Sequence, residues 1–159
     1  MQSKKTYTVD EAKIALERYC IYQDRCHQEV INKLHKMNMI KEAQELILLH
    51  LIQNNFLNEE RFAKSFARGK FNQKKWGKIK ITNQLKFKYI SSANIKTALN
   101  EINNDNYLAT LESLAIKKLK EIKTNNIFDK KKKVIYFLQS KGYEISLVYN
   151  VLEELLSKK

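Results

Sequence analysis

Residues 67–90 read ARGKFNQKKWGKIKITNQLKFKYI and combine dense positive charge with regularly spaced apolar side chains. The stretch contains seven lysines and one arginine but no aspartate or glutamate. Between 76 and 87, apolar residues at positions 76, 79, 81 and 85 have a spacing typical of an amphipathic helix. The stretch therefore predicts a helix that buries its apolar side within a helical unit and exposes its lysines.

The composition of the whole chain predicts an all-α protein. Its 159 residues include no proline and only three glycines, the residues that most folds use for turns. The net charge is +13, from 30 lysines and arginines against 17 acidic residues, and it favours a polyanionic partner. A composition biased towards lysine is the alternative explanation of that charge.

An internal repeat predicts how the helices are grouped. Six apolar positions in the middle of the chain are apolar again 53 residues later. The N-terminal part matches the middle part more loosely, first at a distance of 51 residues and then at 50. We therefore predict three three-helix repeats, at 8–56, 57–104 and 105–157. The matching sets are Val30, Leu34, Leu48, Leu49 and Ile52; Ile81, Leu85, Ile95, Ala98, Leu99 and Ile102; and Val134, Leu138, Val148, Val151, Leu152 and Leu155.

Signals for helix ends support this division. Thr8 and Glu11 have the spacing of a capping box, in which each side chain accepts a hydrogen bond from the other residue's backbone. Gly69 and Gly77 are the expected points of chain reversal in the basic stretch, with a helix between Trp76 and Phe87. Gly142 is well placed to end a helix of the third repeat.

The stretch FLNEERFAKSFARGKF followed by KKWGKIKITNQLKFKYIS resembles the most recognisable part of the RecX family, the regulators of the bacterial recombinase RecA. The matching parts are the helix start at 57–63, the basic turn with a glycine at 74–78, and the helix at 81–90. WGK at 76–78 and ERYCIYQDRCHQEVINKL at 17–34 resemble the branch of the family found in Bacteroidetes-like bacteria.

The resemblance implies an elongated, curved array of three tandem three-helix repeats. It also implies a protein that binds the RecA filament on single-stranded DNA, within the filament's groove, and limits ATP hydrolysis, strand exchange and filament growth. Double-stranded DNA is a further candidate partner. A monomer is expected.

The basic residues are the candidate site for DNA or the RecA filament. A solvated helix face is the alternative for any one of them, but the absence of acidic residues in 67–90 favours function for the patch. Phe71 and Trp76 could stack on unpaired bases, although their spacing favours packing. On the long helix of the third repeat, Lys118 and Lys123 could extend the basic surface. The candidate residues are Arg68, Lys70, Lys74, Lys75, Lys78, Lys80, Lys117, Lys120, Lys131 and Lys132.

The sequence predicts no catalytic, metal or cofactor site. Cys26 and His27 are adjacent but have no further ligands at metal-binding spacing, and no glycine-rich phosphate loop is present. Cys20 and Cys26 are expected to be free, partly buried thiols in a reducing compartment. The start of the chain does not read as a signal peptide, and the longest apolar run, at 46–52, is too short for a membrane span. We therefore expect a cytoplasmic protein that is not an enzyme.

Two other functions fit the same residues. A DNA-binding helical protein without a recombinase partner would bind DNA independently of its sequence, with an affinity that falls steeply with salt. A helical-repeat adaptor for an acidic protein would not bind DNA at all.

Overall fold

The computed structural model describes residues 5–157, and this part of the chain forms nine α-helices and no strand. The predicted all-α class is therefore confirmed. No helix within these residues is both long and apolar enough to cross a membrane. The helices are α1 Val9–Tyr22, α2 His27–Lys36, α3 Lys41–Gln53, α4 Glu59–Lys74, α5 Lys78–Phe87, α6 Ser92–Leu99, α7 Asn104–Glu121, α8 Ile127–Ser140 and α9 Ile145–Ser157.

The helices pack in three sets of three along the chain. The extensive contacts between helices fall within α1–α3, within α4–α6 and within α7–α9. We call these sets the first, second and third units and propose them as the three repeats. The division at 57 and 105 and the elongated, curved outline stay predictions.

The same turn ends the second helix of every unit. A residue at positive φ follows the helix, and the next backbone N–H donates to a carbonyl five residues earlier, as in a Schellman motif. These equivalent positions are 51 and 53 residues apart, so the backbone repeats with the spacing found in the sequence. The residues at positive φ are Asn38, Tyr89 and Gly142 (58°, 62° and 99°), and the acceptors are Leu34, Leu85 and Leu138, each at 3.1 Å.

The predicted change of offset within the first unit is wrong. On α3 the buried residues include Ile47 and Leu51, which lie 51 residues before the buried Ala98 and Ile102. Leu49, which the offset of 50 placed in the core, is 51% exposed. The offset of 51 therefore holds through both helices, and no residue is lost between them.

Two apolar cores lie under the helices. One belongs to the first unit, and the other runs continuously through the second and third units. Cys26, at the start of α2, reaches from the first unit into the second core, whereas Cys20 lies in the first. Both thiols are free and buried, and burial raises the pKa of each to about 11. The two cysteines are therefore packing residues rather than reactive thiols.

Of three local sequence signals, the capping box is confirmed, whereas the chain reversal at Gly69 and the burial of Ile79 are wrong. Thr8 and Glu11 form the predicted capping box. Gly69, however, lies inside α4, which continues to Lys74, and the chain reverses at Lys75 with φ of 60°. Ile79 was expected in the buried stripe of α5 but is 45% exposed. The buried side of α5 is narrower than the spacing of apolar residues suggested.

Gly77 lies directly against Gly142, where the start of α5 meets the turn between α8 and α9. A Cβ atom at Gly77 would stand 2.3 Å from the carbonyl carbon and oxygen of Gly142. A Cβ atom at Gly142 would stand 2.3 Å from the Cβ of Lys80. Because most of these neighbours are backbone atoms, they cannot move aside as a flexible side chain would. Only glycine therefore fits at either position.

We expect Gly77→Ala to destabilise the protein by about 1–3 kcal/mol, because the added methyl group overpacks this backbone contact. Gly69→Ala is the matched control. A Cβ at Gly69 meets nothing within 4 Å, and alanine in a helix interior stabilises by about 0.5–1 kcal/mol relative to glycine. Urea denaturation of both variants measures the two changes. Equal stabilities of Gly77→Ala and the wild type would contradict the close approach.

Candidate functional site

The start of α5 is capped by groups of the third unit. The first N–H groups of a helix have no partner within the helix and need an acceptor from elsewhere. Gly77 N–H donates to the Lys141 carbonyl at 2.7 Å, and Ile79 N–H donates to the Gly142 carbonyl at 3.0 Å. Between them, Lys78 N–H donates to the Tyr107 hydroxyl at 2.9 Å. The second and third units are thus joined through backbone hydrogen bonds.

Two buried tyrosines reinforce this joint. The rings of Tyr107 and Tyr143 are each 1% exposed, and their centroids lie 5.2 Å apart. The Tyr107 hydroxyl donates to the Glu144 carboxylate, and the Tyr143 hydroxyl donates to the Lys75 carbonyl at 2.8 Å. Burial raises the pKa of both hydroxyls far above the ordinary value of tyrosine. Both hydroxyls therefore stay protonated, and able to donate, at neutral pH.

Five lysines surround the joint, and we call them the junction lysines: Lys70, Lys74, Lys75, Lys80 and Lys141. The Nζ atoms of Lys70 and Lys80 lie 5.0 and 4.6 Å from the centroid of the Trp76 ring, within cation–π range. The Nζ of Lys141 lies 3.3 Å from the Lys74 carbonyl oxygen. The joint thus brings Lys70 of α4 and Lys80 of α5 to one tryptophan, and Lys141 of the α8–α9 turn to the end of α4.

The junction lysines have no acidic partners. Within residues 5–157, no carboxylate lies within 4.0 Å of any of their Nζ atoms, whereas Lys64 and Arg68 both pair with Glu101. The surrounding sequence is also short of acids. Residues 57–104 contain eleven lysines and arginines against three acidic residues, while 8–56 contain six against seven. The positive field at the joint is therefore not neutralised by the protein itself.

Two of the predicted residues in the basic stretch have partners of their own. Arg68 lies 3.7 Å from Glu101, and it points away from Lys70 because residues two apart on a helix diverge by about 200°. Lys78 lies over the Tyr107 ring at 4.8 Å, and its Nζ is 3.3 Å from the side-chain oxygen of Asn104. Their roles in binding stay predictions, and Lys78 also has a structural role.

The basic surface continues onto the third unit through a residue that the sequence did not single out. Lys141 stands 5.9 Å from the Phe137 ring centroid, and Lys118 of α7 approaches the same ring at 4.6 Å. Lys117 and Lys120 are exposed on α7 but do not approach this ring within cation–π range. Lys141 could have been found from the repeat, because it precedes the turn at Gly142 as Lys88 precedes Tyr89.

Lys131 and Lys132 lie apart from the junction lysines. Both are exposed on α8, whose rise of 1.5 Å per residue puts Lys131 about 15 Å along the axis from Lys141. They belong to the N-terminal half of α8, where the positive end of the helix dipole disfavours lysine.

The aromatic residues of the basic stretch have packing roles. Phe71 is 7% exposed and is part of the core, so it cannot stack on a base. Trp76 packs partly against the same core and meets the edge of Phe66 at a centroid distance of 6.4 Å. The preference for packing over base stacking is therefore confirmed for Phe71, and the contacts of Trp76 agree with it.

The histidines take part in local pairs rather than in a metal site. His27 Nδ1 lies 2.9 Å from a Glu59 carboxylate oxygen, and His50 Nε2 lies 3.7 Å from Glu17. In the part of the chain that the structure describes, no three histidine, cysteine, aspartate or glutamate side chains form a group that could hold a metal ion.

Comparison with protein families identifies two of the three units. The family model for the second three-helix domain of RecX matches residues 58–99. The model for the third three-helix domain of RecX matches residues 105–152.

Relatives from several bacteria carry the name Regulatory protein RecX. The protein from Clostridium acetobutylicum is 28% identical over 139 residues, which cover 84% of this chain and 64% of the relative. The protein from Enterococcus faecalis is 26% identical over 156 residues, which cover 98% of this chain and 59% of the relative. The chain thus spans somewhat less than two thirds of the length of these relatives. The resemblance to the Bacteroidetes-like branch stays a prediction.

Solved structures share the fold. The crystal structure of RecX from Lactobacillus salivarius has a TM-score of 0.83 and 23% sequence identity, and covers 92% of this chain and 96% of that chain. A second crystal structure of regulatory protein RecX also has a TM-score of 0.83, over 91% of this chain and 71% of that chain.

We expect Tyr107→Phe to destabilise the protein by about 1–3 kcal/mol, because it removes the acceptor for the partly buried Lys78 N–H and the donor to Glu144. Tyr136→Phe is the control, since this side chain is 77% exposed and its loss of a hydroxyl should change stability by less than about 0.5 kcal/mol. Urea denaturation compares the two. Equal effects would show that the Tyr107 hydroxyl does not join the units.

Proposed function

The chain belongs to the RecX family, and we propose that it regulates the RecA recombinase by binding the RecA filament on single-stranded DNA. In this proposal the protein lies within the helical groove of the filament and limits ATP hydrolysis, strand exchange and filament growth. The shared name of the relatives, Regulatory protein RecX, supports a regulatory role.

The unpaired junction lysines carry this proposal. The ammonium groups of Lys70 and Lys80 flank Trp76, and that of Lys141 reaches the end of α4. Among the described residues no carboxylate lies within 4.0 Å of any junction lysine, so their charge is available to a partner. DNA phosphates and acidic side chains of a nucleoprotein filament are the groups that would neutralise it. Binding would release counterions from the phosphates, which makes the interaction favourable at moderate salt and weaker at high salt.

The other predicted basic residues extend the binding surface in this proposal. Lys117 and Lys120 of α7 and Lys131 and Lys132 of α8 are exposed and lie on the third unit. A row of three units offers a long surface, which suits a partner that is itself a filament.

We also propose that the protein acts as a monomer in the cytoplasm, where RecA and DNA are found, and that it has no catalytic activity or cofactor of its own. Regulation then comes from occupying the filament groove rather than from chemistry.

The second candidate is a DNA-binding protein that has no recombinase partner and no preference for DNA sequence. The same junction lysines support it, because a cluster of ammonium groups binds phosphates whatever the bases. In the first candidate the protein acts through the RecA filament, whereas in the second it binds DNA without RecA.

ATP hydrolysis by RecA from the same organism, in the presence of single-stranded DNA, tests the proposal. The wild-type protein should inhibit hydrolysis when it is titrated into the reaction. A variant with Lys74, Lys75 and Lys80 changed to glutamate should need about tenfold more protein or more for the same inhibition, because it repels phosphates. Lys78 is left unchanged, since its backbone and side chain hold the joint together.

The control variant changes Lys13, Lys36 and Lys41 to glutamate. It makes the same change in net charge on the first unit, where acidic residues already balance basic ones, and should inhibit like the wild type.

Unaffected hydrolysis together with binding to bare DNA would reject regulation of RecA and support the second candidate. Binding to single strands would then fall with salt with a slope of about −0.7 for each phosphate contacted.

A further inference from the structure

An open groove runs along α8, and two of its lining residues, Lys118 and Phe137, also lie beside Lys141 near the joint. Its volume is about 1310 Å³, above the range of about 300–1,000 Å³ usual for small-molecule pockets. The side chains that line it are mainly aromatic and basic. A long, open groove of this size suits a polymer better than a small compact ligand.

Three aromatic side chains of this groove are turned towards solvent. Phe128 is 81% exposed, Tyr136 is 77% exposed, and Tyr149 of α9 is 52% exposed. Large aromatic residues are usually buried in a core, as Tyr107 and Tyr143 are in the same unit. Several exposed rings along one groove indicate that the surface meets another molecule.

The helix places one lysine between two of these rings. Phe128, Lys132 and Tyr136 are four residues apart, so they lie along one side of α8 with the two rings about 12 Å apart along the axis. Lys131 and Lys133 line the groove beside Lys132. An ammonium group therefore stands between two exposed aromatic faces.

The charge of the groove selects the kind of partner. Four lysines line it, and Asp129 is the one carboxylate among the lining residues. Lys131, Lys132 and Lys133 are consecutive on α8, so their charges repel one another. A polyanion would relieve that repulsion, and a polyanion with flat apolar groups would also cover the rings.

We propose that this groove binds single-stranded DNA by stacking unpaired bases on Phe128, Tyr136 and Tyr149 while the lysines contact the phosphates. Aromatic platforms beside lysines are the general means by which proteins hold single strands without reading their sequence. The bases of a duplex are already stacked on one another and offer no free face. The groove therefore makes the protein prefer single strands, which the junction lysines alone would not do.

This proposal rests on the proposed function for the choice of DNA as the polymer, and its test uses no RecA. Binding of a labelled oligothymidylate of about 16 nucleotides is measured by fluorescence anisotropy. The same measurement is made with an abasic strand of equal length, with duplex DNA and with an RNA oligonucleotide. The abasic strand keeps the phosphates but removes the bases, so it separates stacking from charge.

The double variant Phe128→Ala with Tyr136→Ala should bind oligothymidylate about tenfold more weakly or worse, yet bind the abasic strand and the duplex like the wild type. The exchange Phe128→Tyr with Tyr136→Phe keeps both rings and should retain affinity. Tyr22→Ala is the control, since Tyr22 is also highly exposed, at 82%, but lies on the first unit. Changing Lys131, Lys132 and Lys133 to glutamine should weaken binding to every strand.

Three outcomes would overturn the proposal. The double variant could bind oligothymidylate as tightly as the wild type, or lose the same factor on the abasic strand. Tighter binding of RNA than of DNA would assign the groove to another polymer. None of these outcomes alters inhibition of RecA, which the hydrolysis assay decides separately.

Discussion

The contact between Gly77 and Gly142 is the constraint on which the rest of the second and third units depends. With no Cβ on either residue, the first turn of α5 comes close enough to the α8–α9 turn to donate backbone hydrogen bonds to it. Those bonds satisfy N–H groups that a helix start would otherwise leave unpaired, and the buried tyrosines close the space around them. Because the joint uses backbone groups and hydroxyls, it needs no pairing between charged side chains at its centre.

The use of backbone groups and hydroxyls at this joint affects the charge of the surrounding surface. The joint between the first and second units instead uses side-chain carboxylates: Asp24 forms an ion pair with Arg61 at 2.8 Å, and Glu59 lies 2.9 Å from His27 Nδ1. Cys26 lies there at the position that Gly77 occupies 51 residues later. At the second joint the Glu144 carboxylate accepts a hydrogen bond from the Tyr107 hydroxyl and does not pair with a lysine. The lysines around Gly77 are therefore left without a carboxylate partner among the described residues, and under the proposed function they contact DNA phosphates or acidic groups of the filament.

Much of the fold could be predicted from the sequence because helices and repeats leave periodic signals. The apolar positions of α5 and α8, such as Ile81 and Val134, repeat with one offset, and the capping box at Thr8 depends only on neighbouring residues. Contacts between units leave no such local signal. Gly69 and Gly77 look equivalent in the sequence, yet one lies inside a helix and the other against a distant backbone. The pairing of Arg68 with Glu101 likewise depends on where Glu101 lies in the folded chain.

The two basic surfaces differ in what they can distinguish. Two of the junction lysines, Lys70 and Lys80, lie over a tryptophan that packs partly against the core, so this surface offers charge and little free aromatic face. It can bind phosphates in any arrangement that fits its shape, including those of a duplex. The groove on α8 has exposed aromatic rings beside its lysines. Such rings stack favourably only on bases that are not already paired and stacked. A protein with both surfaces can gain affinity from one and selectivity for single strands from the other, without hydrogen bonds to particular bases.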